Sequence, residues 1–401
     1  MLKEVSNILV RTTLRYILII LLSVLSSLYL FEYFLIYSDK NIEKNKAKIF
    51  EKETGKKYEY RNKILVFNEL KKKNPNLTST LVPKHFAISS EQKVVPLGGL
   101  SKSKTLHCKE NGYFSIFESD RYGFNNPDEE WENDEIEFFL VGDSFTMGEC
   151  VNRPYDFGSV LRKLSKKSVL NLGYSSNGPM LQFAALREYL DKKVNNILWF
   201  YFEDNDLQDL KDTMNSKILN NYLDNENFSQ SLRLKQKEID IIVDKTVKEH
   251  LKYFQSREEK RKKNQILRFI RLDKTKDKVK ALMNNNNNQK KKFNEEVFLR
   301  FKKILEHSQI LAKKNNAELY FIYLPSYQRF SKFGIDGDLN QRDELISMVK
   351  SLNIKFIDIF KEIEKNELDY KSLFPFGLYG HYNIKGYNEI SKIIYDKTLE
   401  K

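Results

Sequence analysis

The chain has 401 residues, enough for more than one ordinary domain and for a sizeable buried core. Hydrophobic residues make up 41% and charged residues 31%, which excludes a multi-span membrane protein and favours a mostly soluble, globular one. The net charge of +13 comes from lysines spread along the chain, without a basic stripe in a nucleic-acid-binding motif, so we expect no nucleic-acid partner. Attraction to anionic lipid headgroups or acidic polysaccharide fits this charge better.

An apolar segment near the start of the chain predicts a single membrane anchor in residues 1–38. Tyr16–Tyr37 is interrupted only by Glu32, and as a helix it is just long enough to cross a hydrocarbon core of about 30 Å. Tyrosines at both ends suit the membrane interfaces, and Glu32 lies near enough to one end to reach it. A signal peptide is the alternative, because the first residues are basic. The apolar run is long, however, and no small-residue cleavage site follows before Asp39.

Residues 39–105 are predicted to be a stalk and connector. Asn41–Lys73 is highly charged, as a juxtamembrane helix would be, and residues 74–106 contain three prolines with serine and glycine, as an irregular connector would. Lysines flank the apolar segment on both sides, so the charge does not orient the anchor.

The two cysteines, Cys108 and Cys150, have neither CxxC nor metal-ligand spacing, so we expect no metal site. They are either two unrelated buried thiols or one disulfide, which needs an oxidising compartment. A disulfide would stabilise the fold by about 3–4 kcal/mol on the loop-entropy model. It would also place the bulk of the chain on the periplasmic or extracytoplasmic side of the membrane.

From about Cys108 onward, apolar runs alternate with amphipathic stretches, which predicts an α/β domain with a largely parallel sheet. The domain is expected in residues 106–210 and 295–401, as a flavodoxin-like, three-layer, doubly wound arrangement whose sites form beyond the carboxyl ends of the strands. The predicted strands are Ile136–Val141, Val169–Leu172, Ile197–Phe202, Leu319–Leu324 and Phe356–Ile359. The predicted helices are Pro154–Leu164, Pro179–Leu190, Glu295–Lys313, Asp343–Ser351 and Ile384–Lys397.

Residues 211–294 interrupt this alternation and predict a helical insertion between the third and fourth strands. The segment is charged and helix-prone, and it closes with Asn284–Asn288, a glutamine and three lysines, which indicate a flexible, disordered tip. The insertion is either a solvent-exposed projection from the domain or a lid over a site.

The first chemical motif follows the first of these strands. Ile136–Val141 leads directly into Gly142-Asp143-Ser144-Phe145. A serine there can present its hydroxyl to the cleft and its amide to a developing oxyanion, while Gly142 allows a tight exit from the strand. Ser144 could also merely cap the next helix.

His381 is the best-placed base among the five histidines. It lies in a loop between the fifth strand and the last helix, on the edge of the sheet where Ser144 is expected. Two further segments end at this edge. Asn171–Gly178 has small residues whose amides can approach a substrate oxygen, and Asn205 can donate its side-chain amide to an oxyanion. Asn205 and Asp206 could instead cap a helix.

Together these residues resemble the SGNH (GDSL) hydrolase family, in which Ser, Gly, Asn and His stand in four blocks. Residues 142–145 resemble the first block, and Asn205 with Asp206 resembles the third, although Glu203 replaces its leading glycine. The final block is matched by His381 with Asn383 and Gly386. The resemblance implies Ser144 as nucleophile and His381 as base. Its oxyanion donors would be Ser144, Asn205 and an amide at Gly173 or, by the preferred spacing, Ser176.

The family's usual aspartate is missing from this pattern, because Tyr379 and Leu378 stand where it is expected. Either a carboxylate from elsewhere orients His381, with Asp358 and Asp369 as candidates, or a backbone carbonyl does so in a Ser-His dyad. The segment Ser119–Asp128 resembles a stretch that precedes the first block in some bacterial members.

The resemblance implies a membrane-anchored ester hydrolase that needs no cofactor and acts on acyl, above all O-acetyl, esters of small molecules or envelope glycans. One alternative is an O-acyltransferase that modifies an envelope polysaccharide beside a membrane acyltransferase partner. Another is a non-catalytic protein of the same fold that binds glycans or scaffolds an assembly.

Overall fold

The computed structural model describes residues 2–89, 94–288, 295–330 and 341–399. The chain forms two compact units. The first unit consists of Met1–Lys57 and Tyr253–Lys290, and the second of Tyr58–Lys252 and Lys291–Lys401. The second unit begins at Tyr58, whereas the predicted domain begins at residue 106.

Helices and strands follow one another in the following order. The helices are α1 Leu2–Thr54, α2 Lys63–Lys73, α3 Lys84–Ile88, α4 Ser144–Met147, α5 Phe157–Ser165, α6 Pro179–Tyr189, α7 Asp206–Thr213, α8 Lys217–Asp224, α9 Gln236–Lys263, α10 Gln265–Ile270, α11 Asp273–Asn288, α12 Glu295–Lys314, α13 Arg342–Ser351, α14 Ile359–Lys365 and α15 Ile384–Leu399. The strands are β1 Leu77–Ser79, β2 Lys104–Leu106, β3 Ile116–Glu118, β4 Glu135–Val141, β5 Val169–Asn171, β6 Lys193–Phe202, β7 Glu318–Leu324 and β8 Lys355–Asp358.

The second unit is built on a five-stranded sheet of order β5-β4-β6-β7-β8, with every neighbouring pair parallel. In chain order this is 2-1-3-4-5, the flavodoxin-like arrangement. The predicted fold class is confirmed, and the five predicted strands and five predicted helices recur with ends shifted by a few residues. Because all five strands are parallel, their carboxyl ends meet at one edge of the sheet.

The side chains of alternate residues in the central strands pack into two separate hydrophobic cores. Phe139 and Trp199 pack on one face with α6, α12 and α13, while Phe138 and Phe200 pack on the other with α5, α14 and α15. Both faces of the sheet are thus covered by helices, as the near-continuous apolar character of a buried parallel strand requires.

The predicted connector also contains regular structure. β1 pairs with β2 in parallel and β2 with β3 antiparallel, which makes a small second sheet. Leu81, Phe86 and Val95 from this part of the chain are buried in the main core. Residues 74–106 are therefore part of the folded second unit, because their apolar side chains are buried in its main core.

The predicted insertion divides between the two units. Leu219, Tyr222, Ile239 and Val243, from α8 and the first half of α9, are buried in the core of the second unit. From Tyr253 to Lys290 the chain belongs to the first unit. Asn284–Asn288, predicted as part of a disordered tip, are the last residues of α11, and residues 289–294 lie outside the described part of the chain.

In the first unit, α1 continues from the apolar segment to Thr54 without a break. Among the described residues it is the one helix whose length and apolar composition suit a membrane span, a test that a signal sequence also passes. Glu32 is 1% exposed. Its carboxylate accepts hydrogen bonds from the amides of Lys274 and Thr275 at 3.0 and 2.7 Å. Glu32 is therefore held by the first turn of α11.

Candidate active site

Ser144 is the first residue of α4, three residues beyond the end of β4. The turn is tight: a Cβ at Gly142 would lie 2.0 Å from the Oγ1 of Thr146, so no side chain fits there. The carboxylate of Asp143 accepts a hydrogen bond from the amide of Phe145 at 2.9 Å and caps the short helix. The hydroxyl of Ser144 lies 3.5 Å from the other oxygen of this carboxylate, Oδ2, and has a closer partner elsewhere.

That partner is His381. The Ser144 Oγ and the His381 Nε2 are 2.9 Å apart, although 237 residues separate them in the chain. Asn383 shapes the loop that carries the histidine, since its Nδ2 donates to the carbonyls of Ser372 and Phe374 and its Oδ1 accepts from the amide of Gly386. The structure thus brings together the two residues predicted as nucleophile and base.

Glu110 is the carboxylate on the other side of the histidine. Its Oε1 lies 3.1 Å from the His381 Nδ1, and its Oε2 accepts a hydrogen bond from the His381 backbone amide at 2.6 Å. Neither predicted acid reaches this position. Asp358 caps α14 and pairs with Arg342, and Asp369 caps a 3-10 turn at Tyr370–Leu373. The alternative of a backbone carbonyl on Nδ1 is also wrong, because Glu110 occupies that place.

The disulfide explains how Glu110 reaches the site. Cys108 and Cys150 are joined, with their Cα atoms 5.0 Å apart. Glu110 is two residues after Cys108, and Cys150 is six residues after Ser144. The two cysteines therefore link the segments that carry Glu110 and Ser144, whereas the family pattern places the acid close to His381.

A second carboxylate, Glu149, lies beside the pair of Ser144 and His381. Its Oε2 is 3.7 Å from the His381 Nε2 and accepts a hydrogen bond from the Ser175 hydroxyl at 2.7 Å. Its Oε1 is 3.3 Å from the Nε2 of His107, whose Nδ1 lies 3.0 Å from the Oγ1 of Thr80. Sequence reasoning assigned nothing to Glu149 and placed His107 in a connector.

These charges shift the pKa values of the site. Burial lowers the pKa of His381, but the carboxylates of Glu149 and Glu110 outweigh it and raise this pKa to about 9. Burial raises the pKa of Glu149, yet the imidazoles of His107 and His381 outweigh burial and hold it well below its usual range. His381 is therefore a strong base whose protonated form is stabilised from both sides.

The predicted oxyanion residues are not all at the site. Ser144, Ser176 and Asn205 line one cavity with His381. Gly173 does not line this cavity: its amide donates to the Oδ1 of Asn171 at 2.8 Å, and a Cβ there would lie 2.5 Å from the backbone nitrogen of Met147. Gly173 is a packing position beneath α4, because no side chain fits between it and that helix.

Glu203, the residue in place of the family's glycine, turns away from the cavity. It is 2% exposed, accepts a hydrogen bond from the Arg329 Nε at 2.6 Å and another from the Ser326 amide at 2.7 Å. Tyr323 donates a third hydrogen bond. The carboxylate is held in a buried ion pair, so this departure from the pattern leaves the cavity unchanged.

The segment Ser119–Asp128 makes hydrogen bonds to the end of β5 and to α4. Asn126 accepts from the amide of Asn171 through Oδ1 at 2.9 Å and donates to its carbonyl through Nδ2 at 2.9 Å. Asn125 donates to the carbonyl of Met147, the last residue of α4, at 2.9 Å. The segment therefore fixes α4 and the end of β5 relative to each other.

The cavity has a volume of about 370 Å³. Three carboxylates line it, those of Glu110, Glu149 and Asp204, together with the apolar side chains of Leu81 and Val82. Among the described residues, no residue of the predicted insertion, 211–294, lines it. The lid interpretation of that insertion therefore has no support from the cavity walls.

Two groups of side chains have metal-like composition, His107 with Cys108 and Glu149, and Glu110 with Cys150 and His381. Both sulfur atoms belong to the disulfide and cannot act as thiolates. Each group is left with two ligands, fewer than the three or four protein ligands of a zinc site.

No protein-family model matches the sequence, and a search of curated proteins finds no match. Solved structures similar to this chain include a member of the lipolytic G-D-S-L family from Veillonella parvula, the acetyl xylan esterase AlAXEase, and the lipase/acylhydrolase from Enterococcus faecalis. The sequence identities are 13%, 11% and 13%, and the TM-scores are 0.34, 0.35 and 0.34. The matches cover 66%, 66% and 65% of this chain and 97%, 100% and 94% of the other chains. What the site can do chemically follows from its own residues.

Proposed function

We propose that this protein is a serine ester hydrolase that removes small acyl groups, above all O-acetyl groups, from neutral esters such as those of envelope glycans. The observation that carries the proposal is the alignment of three side chains: Ser144 Oγ lies 2.9 Å from His381 Nε2, and His381 Nδ1 lies 3.1 Å from Glu110. A nucleophile, a base and an acid that orients the base are the parts that acyl transfer to serine requires.

In the proposed reaction, Ser144 attacks the ester carbonyl while His381 Nε2 accepts the hydroxyl proton. The negative charge on the carbonyl oxygen is stabilised by the amides of Ser144 and Ser176 and by the side chain of Asn205. His381 then protonates the departing alcohol, and Glu110 keeps the imidazolium in place. Water attacks the acyl-serine with His381 again as base, which releases the acid and restores Ser144.

The charge and size of the cavity favour a small, neutral acyl ester. Three carboxylates line a space of about 370 Å³, so an anionic substrate such as a phosphate ester would be repelled. The small volume of the cavity, whose apolar lining consists of Leu81, Val82, Phe145 and Phe202, suits a small acyl group better than a long chain.

The direct test is hydrolysis of a chromogenic acetate by the full chain in detergent. Ser144→Ala is expected to abolish turnover, while Ser351→Ala, at an exposed serine on α13, is expected to retain it. Equal rates for Ser144→Ala and the unmodified chain would refute the proposal. A phosphonate ester should label the unmodified chain covalently, with the added mass on the peptide containing Ser144.

The second candidate function is O-acyl transfer to a sugar hydroxyl, and Glu149 favours it. Its carboxylate faces the same nitrogen of His381 that activates the attacking hydroxyl in deacylation, so it can accept a hydrogen bond from an acceptor alcohol. Release of chromophore that depends on added oligosaccharide, with acetylated sugar as product, would identify transfer. The non-catalytic alternative was based on the missing aspartate and on Glu203. Against it, Glu110 contacts the Nδ1 of His381, and Glu203 is bound to Arg329 away from the cavity.

Anchoring through α1, with the second unit on the extracytoplasmic side, is part of the proposal. The apolar part of α1 is exposed throughout its most hydrophobic stretch, whose mean hydropathy is 2.1. The disulfide suits an oxidising compartment. Glu32 and Tyr29 are bonded to residues near α11 and α10, so cleavage near residue 38 would remove partners of the first unit. Intact mass of the membrane-extracted protein tests retention of the helix.

A further inference from the structure

Residues 253–283, which belong to the first unit, hold a large share of the chain's positive charge. This segment has eleven basic and four acidic side chains, a net charge of +7 out of +13 for the whole chain. The charge that seemed evenly spread is thus concentrated in less than a tenth of the sequence. Nothing in the proposed reaction uses it.

The same segment is attached to the apolar part of α1 at two points. The hydroxyl of Tyr29 donates to the carbonyl of Ile270 at 3.0 Å, and the Tyr29 ring lies 5.5 Å from that of Phe269. Glu32 accepts hydrogen bonds from the Lys274 and Thr275 amides and from the Thr275 hydroxyl at 2.8 Å. These amides are in the first turn of α11 and would otherwise have no partner within the helix.

The attachment sets the depth of α10 along α1. Tyr29 precedes Tyr37, the end of the apolar segment, by eight residues, which is about 12 Å of helix. If α1 crosses a bilayer, Phe269 and Ile270 therefore lie beside the acyl chains of one leaflet, and the basic side chains next to them extend toward the headgroups of that leaflet. Lys274 forms an ion pair with Asp39, two residues beyond the apolar segment and at the level of the headgroups.

The exposed side chains of α10 and α11 fit this depth. Ile266 is 77% exposed, Ile270 53% and Met283 61%, and exposing these apolar side chains to water is unfavourable. On α11, Val279, Leu282 and Met283 follow the spacing of one helix face. The lysines at 276, 278 and 280 flank this face on its two sides, and Lys260–Lys263 precede α10.

We propose that α10 and α11 lie in the interface of the same bilayer that α1 crosses, with their apolar side chains among the acyl chains and their basic side chains at anionic phospholipid headgroups. An amphipathic helix with a basic polar face has the composition that such an interface selects. The proposal rests on the proposed anchoring by α1 and is independent of the esterase activity. The bilayer would then hold the first unit both through a spanning helix and through an interfacial pair.

The test places a fluorescent label on Ile266→Cys in the full chain, reconstituted into phosphatidylglycerol vesicles that contain lipids with a nitroxide near the top of the acyl chain. Selective labelling is possible because both native cysteines are in the disulfide. The matched control is Leu234→Cys, at an aliphatic residue of the second unit that is 89% exposed. The Ile266 label is expected to lose most of its emission to the nitroxide, and much more than the Leu234 label.

Quenching at Ile266 no greater than at Leu234 would overturn the proposal. Equal quenching in phosphatidylcholine and phosphatidylglycerol vesicles would overturn the assignment of the basic side chains to anionic headgroups. Extraction with alkaline carbonate distinguishes failure of the anchoring by α1 from failure of this proposal. Release of the chain by carbonate would overturn both the anchoring and this proposal, whereas a retained chain with an unquenched Ile266 label would overturn this proposal alone. Esterase activity is measured in the same vesicles and has no bearing on either outcome.

Discussion

Glu110 holds His381 at two points, through the ring nitrogen Nδ1 at 3.1 Å and through the backbone amide at 2.6 Å. One carboxylate therefore sets both the orientation of the imidazole and the position of the loop that carries it. The acid reaches the histidine from the opposite end of the second unit's sequence, 271 residues away.

The first prediction concerns this acid. Glu110→Gln is expected to lower kcat by about 10³–10⁴-fold, because an amide that donates to Nδ1 selects the wrong tautomer of the base. Turnover of a chromogenic acetate measures the loss. Glu118→Gln, at an exposed glutamate of β3, is the control and should leave kcat unchanged. Undiminished activity of Glu110→Gln would show that another group orients His381.

The second prediction concerns Glu149 and pH. The pKa of His381 is raised to about 9, partly by Glu149, and only the neutral imidazole can accept the proton of Ser144. kcat/KM of the unmodified chain should therefore rise with pH until about 9. In Glu149→Gln one stabilising charge is gone, so the pKa of His381 falls and the acid limb moves to lower pH by roughly one unit. A profile that does not move would contradict the role of Glu149.

The third prediction concerns the disulfide. Replacing Cys150 by Ser frees the segment that contains Glu110, so kcat should fall toward the value of Glu110→Gln. Loss of the cross-link should also lower the free energy of unfolding by about 3–4 kcal/mol on the loop-entropy model. Reductant should have the same effect on the unmodified chain and none on Cys150→Ser. If the reduced protein keeps full activity, the bridge does not position Glu110.

The fourth prediction concerns the buried ion pair of Glu203 and Arg329. Arg329→Met leaves a buried carboxylate without its cation and should cost about 3–5 kcal/mol in the free energy of unfolding. Burial already raises the pKa of Glu203 above its ordinary value, and removal of Arg329 raises it further. A group whose pKa is higher in the folded state stabilises the fold fully at pH values below its unfolded-state pKa. This stabilisation is lost as the pH rises through its folded-state pKa.

The loss of stability in Arg329→Met should therefore be smaller at pH 4 than at pH 8, as measured by denaturant unfolding. A second substitution, Glu203→Leu, should restore much of the stability because it removes the unpaired charge. An equal loss at both pH values would mean that Glu203 does not carry the cost.

The sequence by itself determined the parallel sheet and the order of its parts. Five apolar runs at α/β spacing became β4 to β8, since a strand buried on both faces must be apolar over nearly its whole length. The positions of Ser144 and His381 also followed from the chain. Both come directly after strands or before helices at the same edge of the sheet, where parallel topology leaves little freedom.

Only the tertiary structure decided which carboxylates reach His381. Glu110 and Glu149 are far from it in the chain, and neither lies at the end of a sheet strand, so no local pattern separates them from the other acidic residues. Pairing of β1, β2 and β3 in a second small sheet, and the disulfide from Cys108 to Cys150, bring both to the site. Contacts set by long-range packing have no periodicity in the sequence, which is why the nucleophile and base were predictable and the acid was not.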